Sequence, residues 1–255
     1  MALSIAQLGE GLVKAGRLET KPVCVHGAKE VEEDWVRTAT IDRCLAKVLL
    51  HLTLEERPPA YLGQDSTEGC CGGGIAYMGF SEFPPRVRYF VSTGSPDGKG
   101  GAEYLKRSPE HVDAMLRSAG KITPLAKHIV FRRCQDLEDS DPGVRAIICF
   151  GTAEQIRNLC ALNSFGSSDI FGAAIIPSGS ACASLVTYPT GMSSSAPKES
   201  VFVGPVDPTG NSWFPECYMG MGIPIDVARR MVDDIDASFV VKRPKVAYPQ
   251  KRETL

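Results

Sequence analysis

Along the chain, segments with apolar residues at helical spacing alternate with short apolar runs, a pattern that predicts a mixture of helices and strands. Met1–Gly16 has the spacing of an amphipathic helix, and Lys21–His26 is a short apolar strand. In Ile41–Leu52 the residues Ile41, Leu45, Val48, Leu49 and Leu52 share one helical face, and Thr40 is placed to cap it. Pro58 and Pro59 stop that helix, because proline holds the residue before it out of the helical region, and Ala60–Gly63 resumes as a strand. The glycine-rich turn Asp65–Gly74 leads into a short helix, Ile75–Phe80, and Arg86–Ser92 reads as a strand. Ser108 caps a helix over Pro109–Ala119, with Pro109 at its first position and Gly120 as its stop.

The succession then returns. Arg145–Phe150 is a strand, and Thr152 with Gln155 forms a capping box for the helix Ala153–Asn163. Gly172–Ile176 is a strand, Pro177–Gly179 a turn, and Ala181–Tyr188 a short helix. Ser200–Val203 is a strand, and Pro224 opens the helix Ile225–Phe239. Cys24 matches Cys149, Cys44 matches Cys160, Cys71 matches Cys182 and Pro109 matches Pro224, in the same order along the chain. These matches predict an α+β fold of two similar halves related by an approximate internal repeat, with mixed sheets and short helices. The halves are residues 1–125 and 126–255, packed as one globular unit with a C-terminal tail over 240–255. Similar halves imply a cleft near the axis between them.

Composition narrows the function classes. With 43% hydrophobic and 23% charged residues the chain can build a core, and its formal charge of -2 does not provide the basic surface of a nucleic-acid binder. No apolar run is long enough to span a bilayer, since Cys44–Leu54 is interrupted by Lys47 and His51. The first residues lack a basic export signal, so a cytoplasmic protein without nucleic-acid or membrane partners is expected. The nine cysteines include no C-x-x-C pair, and an odd count in a cytoplasmic chain predicts free thiols.

The chemistry-bearing stretch is Ser66-Thr-Glu68-Gly-Cys70-Cys71-Gly72-Gly73-Gly74. Its glycines permit close backbone approach, and the helix after it would direct N–H groups toward an anion or a thiolate. Its counterpart, Pro177-Ser-Gly179-Ser180-Ala-Cys182, again places a cysteine in a first helical turn, where the helix dipole is expected to lower the thiol pKa. Glu68 and Asp65 flank the first loop, placed either to orient a substrate or to cap the helix. Trp213 and Phe214 belong to an aromatic loop that either closes over a ligand or covers the core. His26 ends the first strand, where ligand-facing residues of α/β folds lie, with a structural role as the alternative. Gly94-Ser-Pro-Asp-Gly-Lys99 imitates a phosphate loop but is one residue short and lacks the following Ser or Thr.

Four segments carry a family resemblance. They are Lys21-Pro22-Val23, Cys71-Gly72-Gly73-Gly74 through Met78-Gly79-Phe80, Gly179 to Pro189 around Cys182, and Gly222-Ile223-Pro224 through Phe239. In these the chain resembles the uncharacterised proteins grouped as domain of unknown function 169, the archaeal-type ArCR family, over nearly its whole length. The resemblance implies that Cys71 and Cys182 occupy the family's cysteine positions, from which Cys70 and His26 depart. It brings no activity with it.

Three functions follow as expectations. In the first, Cys71 and Cys182, completed by Cys70 or Cys217, hold a metal, an iron–sulfur cluster or a cofactor, since thiolates suit soft metals. In the second, Gly72, Gly73, Gly74, Gly179 and Ser180 hold an anionic small molecule at helix N-termini without catalysis. In the third, Cys71 or Cys182 is an enzyme nucleophile, which would need a base that no histidine is placed to supply. The partner is thus a small molecule or a metal, and a homo-oligomer is left open.

Overall fold

A computed structural model describes residues 3–137, 141–207 and 214–247. In chain order the elements are α1 (Ile5–Gly16), β1 (Val23–Ala28), β2 (Val36–Arg37), α2 (Thr38–Ile41), α3 (Leu45–Leu54), β3 (Ala60–Gly63), α4 (Gly72–Tyr77), α5 (Val87–Val91), α6 (Pro109–Ser118) and β4 (His128–Arg133). After a 3-10 turn at Cys134–Asp136 come β5 (Val144–Thr152), α7 (Ala153–Phe165), β6 (Ala174–Ile175), a π-helix (Ala183–Thr187), β7 (Val201–Gly204) and β8 (Tyr218–Pro224). Three helices follow, α8 (Ile225–Asp233), α9 (Phe239–Lys242) and α10 (Pro244–Ala247).

The fold is α+β, built on one mixed eight-stranded sheet in the order β2-β3-β4-β1-β5-β8-β7-β6. β1 and β5 form the central antiparallel pair, with Cys24 opposite Ile147. Outward from that pair, every neighbour is antiparallel until the margins, where β2 runs parallel to β3 and β6 parallel to β7. Strands β1 to β4 thus occupy one flank and β5 to β8 the other. The helices do not follow the same plan on both flanks. α4, α5 and α6 lie between β3 and β4, whereas no helix separates β7 from β8 among the described residues. Cys44 starts a helix that precedes β3, while Cys160 lies within the helix that follows β5, so this pair of landmarks occupies different topological places.

The core is divided by the sheet rather than by the chain. On one face α1, α7 and α8 cover Cys24, Ile147, Cys149, Met221 and Ile223. On the other, α3, α4 and the π-helix cover Val25, Ile129, Phe131, Ile148 and Phe150. Residues of both flanks enter both cores. Strand periodicity produces this, because neighbours along β1 and β5 point to opposite faces and both faces are apolar.

Local signals act as their chemistry requires. The Thr152–Gln155 capping box forms, and a second one forms at Ser4 and Gln7 ahead of α1. Other expectations need correction. Arg86–Ser92 is not a strand but contains the helix α5, since Val87, Phe90 and Val91 follow helical spacing while Val87, Tyr89 and Val91 satisfy alternation. The expected helix Ile41–Leu52 is split, because Asp42 is extended and its carboxylate accepts the Cys44 N–H at 2.8 Å. The expected helix Ile225–Phe239 ends at Asp233, and α9 restarts under the cap of buried Ser238.

His26 illustrates a buried polar group on β1. Its ring is 2% exposed, meets Trp35 edge-on at 6.0 Å, and leaves Nε2 without a hydrogen-bond partner. Burial, and then the charge of Arg132, lower its pKa against the opposing Gly27 carbonyl. In the unfolded chain the ring titrates near about 6.5, so below that pH the unfolded state binds the extra proton. The His26 contribution is therefore complete above that pH and is lost as pH falls through the unfolded value toward the folded one. Urea midpoints measured from pH 7.5 to 5.5 should fall, and His26→Gln should flatten the slope. An equal slope in that variant would assign it to other groups.

Among the described residues, no helix is long and apolar enough to cross a membrane.

Candidate functional site

Cys71 is extended and is the N-cap of α4, its sulfur accepting the Gly74 N–H at 3.3 Å. The helix therefore starts earlier than Ile75, and the three glycines form its first turn. The thiol itself takes up an amide of that turn, and a six-residue helix has little dipole to offer an external anion. Gly74 has a second role. A β-carbon there would lie 3.1 Å from the Cys71 sulfur and 3.9 Å from the Cys182 sulfur, so the missing side chain lets two thiols from opposite flanks draw together.

Cys182 arrives from the second flank. It is 3% exposed, and its N–H donates to Ser180 Oγ at 3.1 Å. The π-helix that follows is wholly buried, and the Thr187 hydroxyl donates to the Tyr77 carbonyl at 2.8 Å, with the Cys182 carbonyl 3.3 Å away. Such widened turns recur beside functional sites. Gly179, at φ 126°, lets the turn pass over Tyr77, whose hydroxyl would lie 3.3 Å from an added β-carbon. Burial pushes the Tyr77 phenol well up, against the opposing Ser180 amide.

The expected lowering of the Cys182 pKa is overturned. Burial, followed by repulsion from Cys71 and Cys44, pushes this thiol well above its ordinary value, and a five-residue helix does not offset that. Cys182 is a protonated thiol at neutral pH. Cys44, the N-cap of α3, is a third sulfur in this neighbourhood, raised by burial and by Cys71. In the sequence Cys44 falls within the expected helix Ile41–Leu52 and matches Cys160, and neither signal points to this neighbourhood.

In front of Cys71 a cavity of about 370 Å³ opens between the two loops and the α5–α6 pair. Cys71, Gly73, Gly179 and Ser180 line one side. Val87, Phe90 and Val91 of α5 and Val112, Met115 and Leu116 of α6 line the other, with Lys106 and Asp207 among the polar groups. Arg88 clamps the two helices, pairing with Glu110 at 3.1 Å and Asp113 at 3.0 Å. Beyond Gly120, the Thr123 N–H bonds the Met192 carbonyl at 3.0 Å, which fixes the end of α6 to the second flank.

The other candidates lie elsewhere. Glu68 and Gly72 are exposed and do not line the cavity. The Cys70 thiol turns toward Thr38 Oγ1 at 3.4 Å, and Cys217 is exposed ahead of β8. Phe214 packs on Phe150 with ring centroids 5.5 Å apart, as a cover of the core. Trp213 is outside the described residues. All nine cysteines are free thiols. Among the described residues, no three His, Cys, Asp or Glu side chains form a group that could hold a metal ion.

No curated protein and no solved structure matches this chain. The model of the family called domain of unknown function 169, described as uncharacterised ArCR, matches residues 11–234. The match takes in both glycine–cysteine turns and the whole sheet, and the chain belongs to that family.

Proposed function

We propose that this protein binds a small organic molecule in the cavity between its two cysteine-bearing turns and α5–α6, with the Cys71 thiol against the ligand. The observation that carries the reading is the convergence on one 370 Å³ cavity of Cys71, Gly73, Gly179 and Ser180 from opposite flanks. Its size and largely apolar wall suit a small-molecule site, which usually occupies about 300–1,000 Å³.

A thiolate-held metal or cluster fits these residues less well. Cys182 is sealed and protonated, Cys70 faces α2, and Cys217 stands apart on the approach to β8. No histidine lines the cavity, so Cys71 reads as a contact group rather than a base-activated nucleophile.

N-phenyl-1-naphthylamine, an uncharged apolar fluorophore, tests the reading. It should bind saturably at one site per chain, and Leu116→Trp, which fills the cavity, should abolish the signal. Alkylation by N-phenylmaleimide should modify Cys71 in the native protein, spare Cys182, and block the fluorophore. Binding that does not saturate, or that survives both treatments, would overturn the proposal.

A further inference from the structure

We infer that the ligand is an anionic amphiphile, with its apolar part in the 370 Å³ cavity and its phosphate or carboxylate group in an adjoining pocket at Arg86 and Lys99. This rests on the small-molecule reading of the cavity above. The adjoining pocket, about 310 Å³, lies on the other side of α5 and shares Gly73, Val87 and Phe90 with the first. A molecule occupying both would pass Gly73, where an added β-carbon would meet nothing within 4 Å. The absence of a side chain there keeps the junction open.

The two spaces differ in charge. The first is lined by one residue of each sign, Lys106 and Asp207, whereas the charged residues lining the second are Arg86 and Lys99. Asp97 stands beside them and is the ion-pair partner of Arg86. Its carboxylate accepts the Lys99 N–H at 3.1 Å, lies 4.0 Å from Arg86, and is held below the usual range by a Ser95 hydrogen bond. With two cations against one carboxylate, the margin of this mainly apolar pocket keeps a net positive charge, which an anion would complement.

The loop that carries Lys99 is built for close approach. Gly94, Gly98 and Gly100 have φ values of 82°, 68° and 81°, a region open to glycine. Added β-carbons at Gly98, Gly100 and Gly101 would meet nothing within 4 Å, so space is available beside the backbone. The loop fails the phosphate-loop pattern and opens no helix of its own. Its contribution is Lys99 and bare backbone, facing Arg86 at the start of α5 at the mouth of an apolar cavity.

Displacement of N-phenyl-1-naphthylamine by decyl phosphate, decanol and inorganic phosphate tests this. At low salt decyl phosphate should compete at about tenfold lower concentration than decanol, the factor given by roughly 1.4 kcal/mol. Inorganic phosphate alone should not compete. The exposed pair Arg86→Gln and Lys99→Gln together should remove the preference and leave decanol unchanged, while Gly73→Leu should weaken decyl phosphate more than decanol. Equal competition by the two amphiphiles, or a preference that survives the double substitution, would overturn the inference while leaving the cavity reading intact. Failure of the fluorophore to bind would remove both. Uptake of decyl phosphate from buffer identifies a free amphiphile. Extraction of phosphatidic acid from phosphatidylcholine vesicles, without uptake from buffer, identifies a bilayer-derived one. Absence of uptake by both routes would overturn the inference.

Discussion

Gly222→Ala should destabilise the protein by about 2–3 kcal/mol, at the upper end of what overpacking a core costs. Gly222 lies on β8 between Ile148 of β5 and Phe202 of β7. A β-carbon there would meet Pro189 Cγ at 2.6 Å, the Ser184 carbonyl oxygen at 2.7 Å and the Leu185 carbonyl oxygen at 2.8 Å. A prolyl ring and two backbone oxygens cannot rotate aside, so the π-helix or the sheet would have to move. Alanine is the better strand former by about 0.5–1 kcal/mol, a gain smaller than the clash. Gly101→Ala is the control, because an added β-carbon there meets nothing within 4 Å and should shift stability by less than about 1 kcal/mol. Urea denaturation of the two variants decides the matter. Equal midpoints would mean that the π-helix is not pressed against β8.

Thr187→Val should cost about 1–3 kcal/mol, although it removes no volume, because it leaves a buried carbonyl without its donor. Thr187 is fully buried, and its hydroxyl is the bond from the π-helix to the Tyr77 carbonyl at the end of α4. Those two elements carry the cysteine-bearing turns of opposite flanks. The variant should therefore bind N-phenyl-1-naphthylamine more weakly as well as unfold at lower urea, whereas Thr187→Ser should retain most of both. A Val variant with wild-type stability and binding would show that the two turns are held together by packing alone.

What could be read in advance depended on whether the signal was local. The Thr152–Gln155 box needs only residues three positions apart, and it forms as expected. The Cys71 turn and the Ser178–Cys182 turn, matched in the sequence by glycine and cysteine placement, both border one cavity, but Cys182 itself does not line it. Long-range packing was not legible. Tyr218–Pro224 carries two glycines and two methionines, a poor strand by composition, yet it is β8, because the π-helix and the neighbouring strands leave no room for side chains at Gly220 and Gly222. Arg86–Ser92 failed for a different reason, since a short apolar run satisfies both periods and only the cavity beside it reveals which one acts. Cys182 looked like an activated thiol because helix position is visible in sequence and burial is not.

The two margins of the sheet also bear on how the molecule meets its own kind. β2 comprises Val36 and Arg37, and β6 comprises Ala174 and Ile175. A strand from another chain adding at either margin would find a template two residues long, too brief to hold a ladder in register. Sheet-to-sheet polymerisation, the usual hazard of an open eight-stranded surface, is thus blunted at both ends. An assembly of identical chains would have to form through helices or loops, and the sheet would stay a private scaffold within each copy.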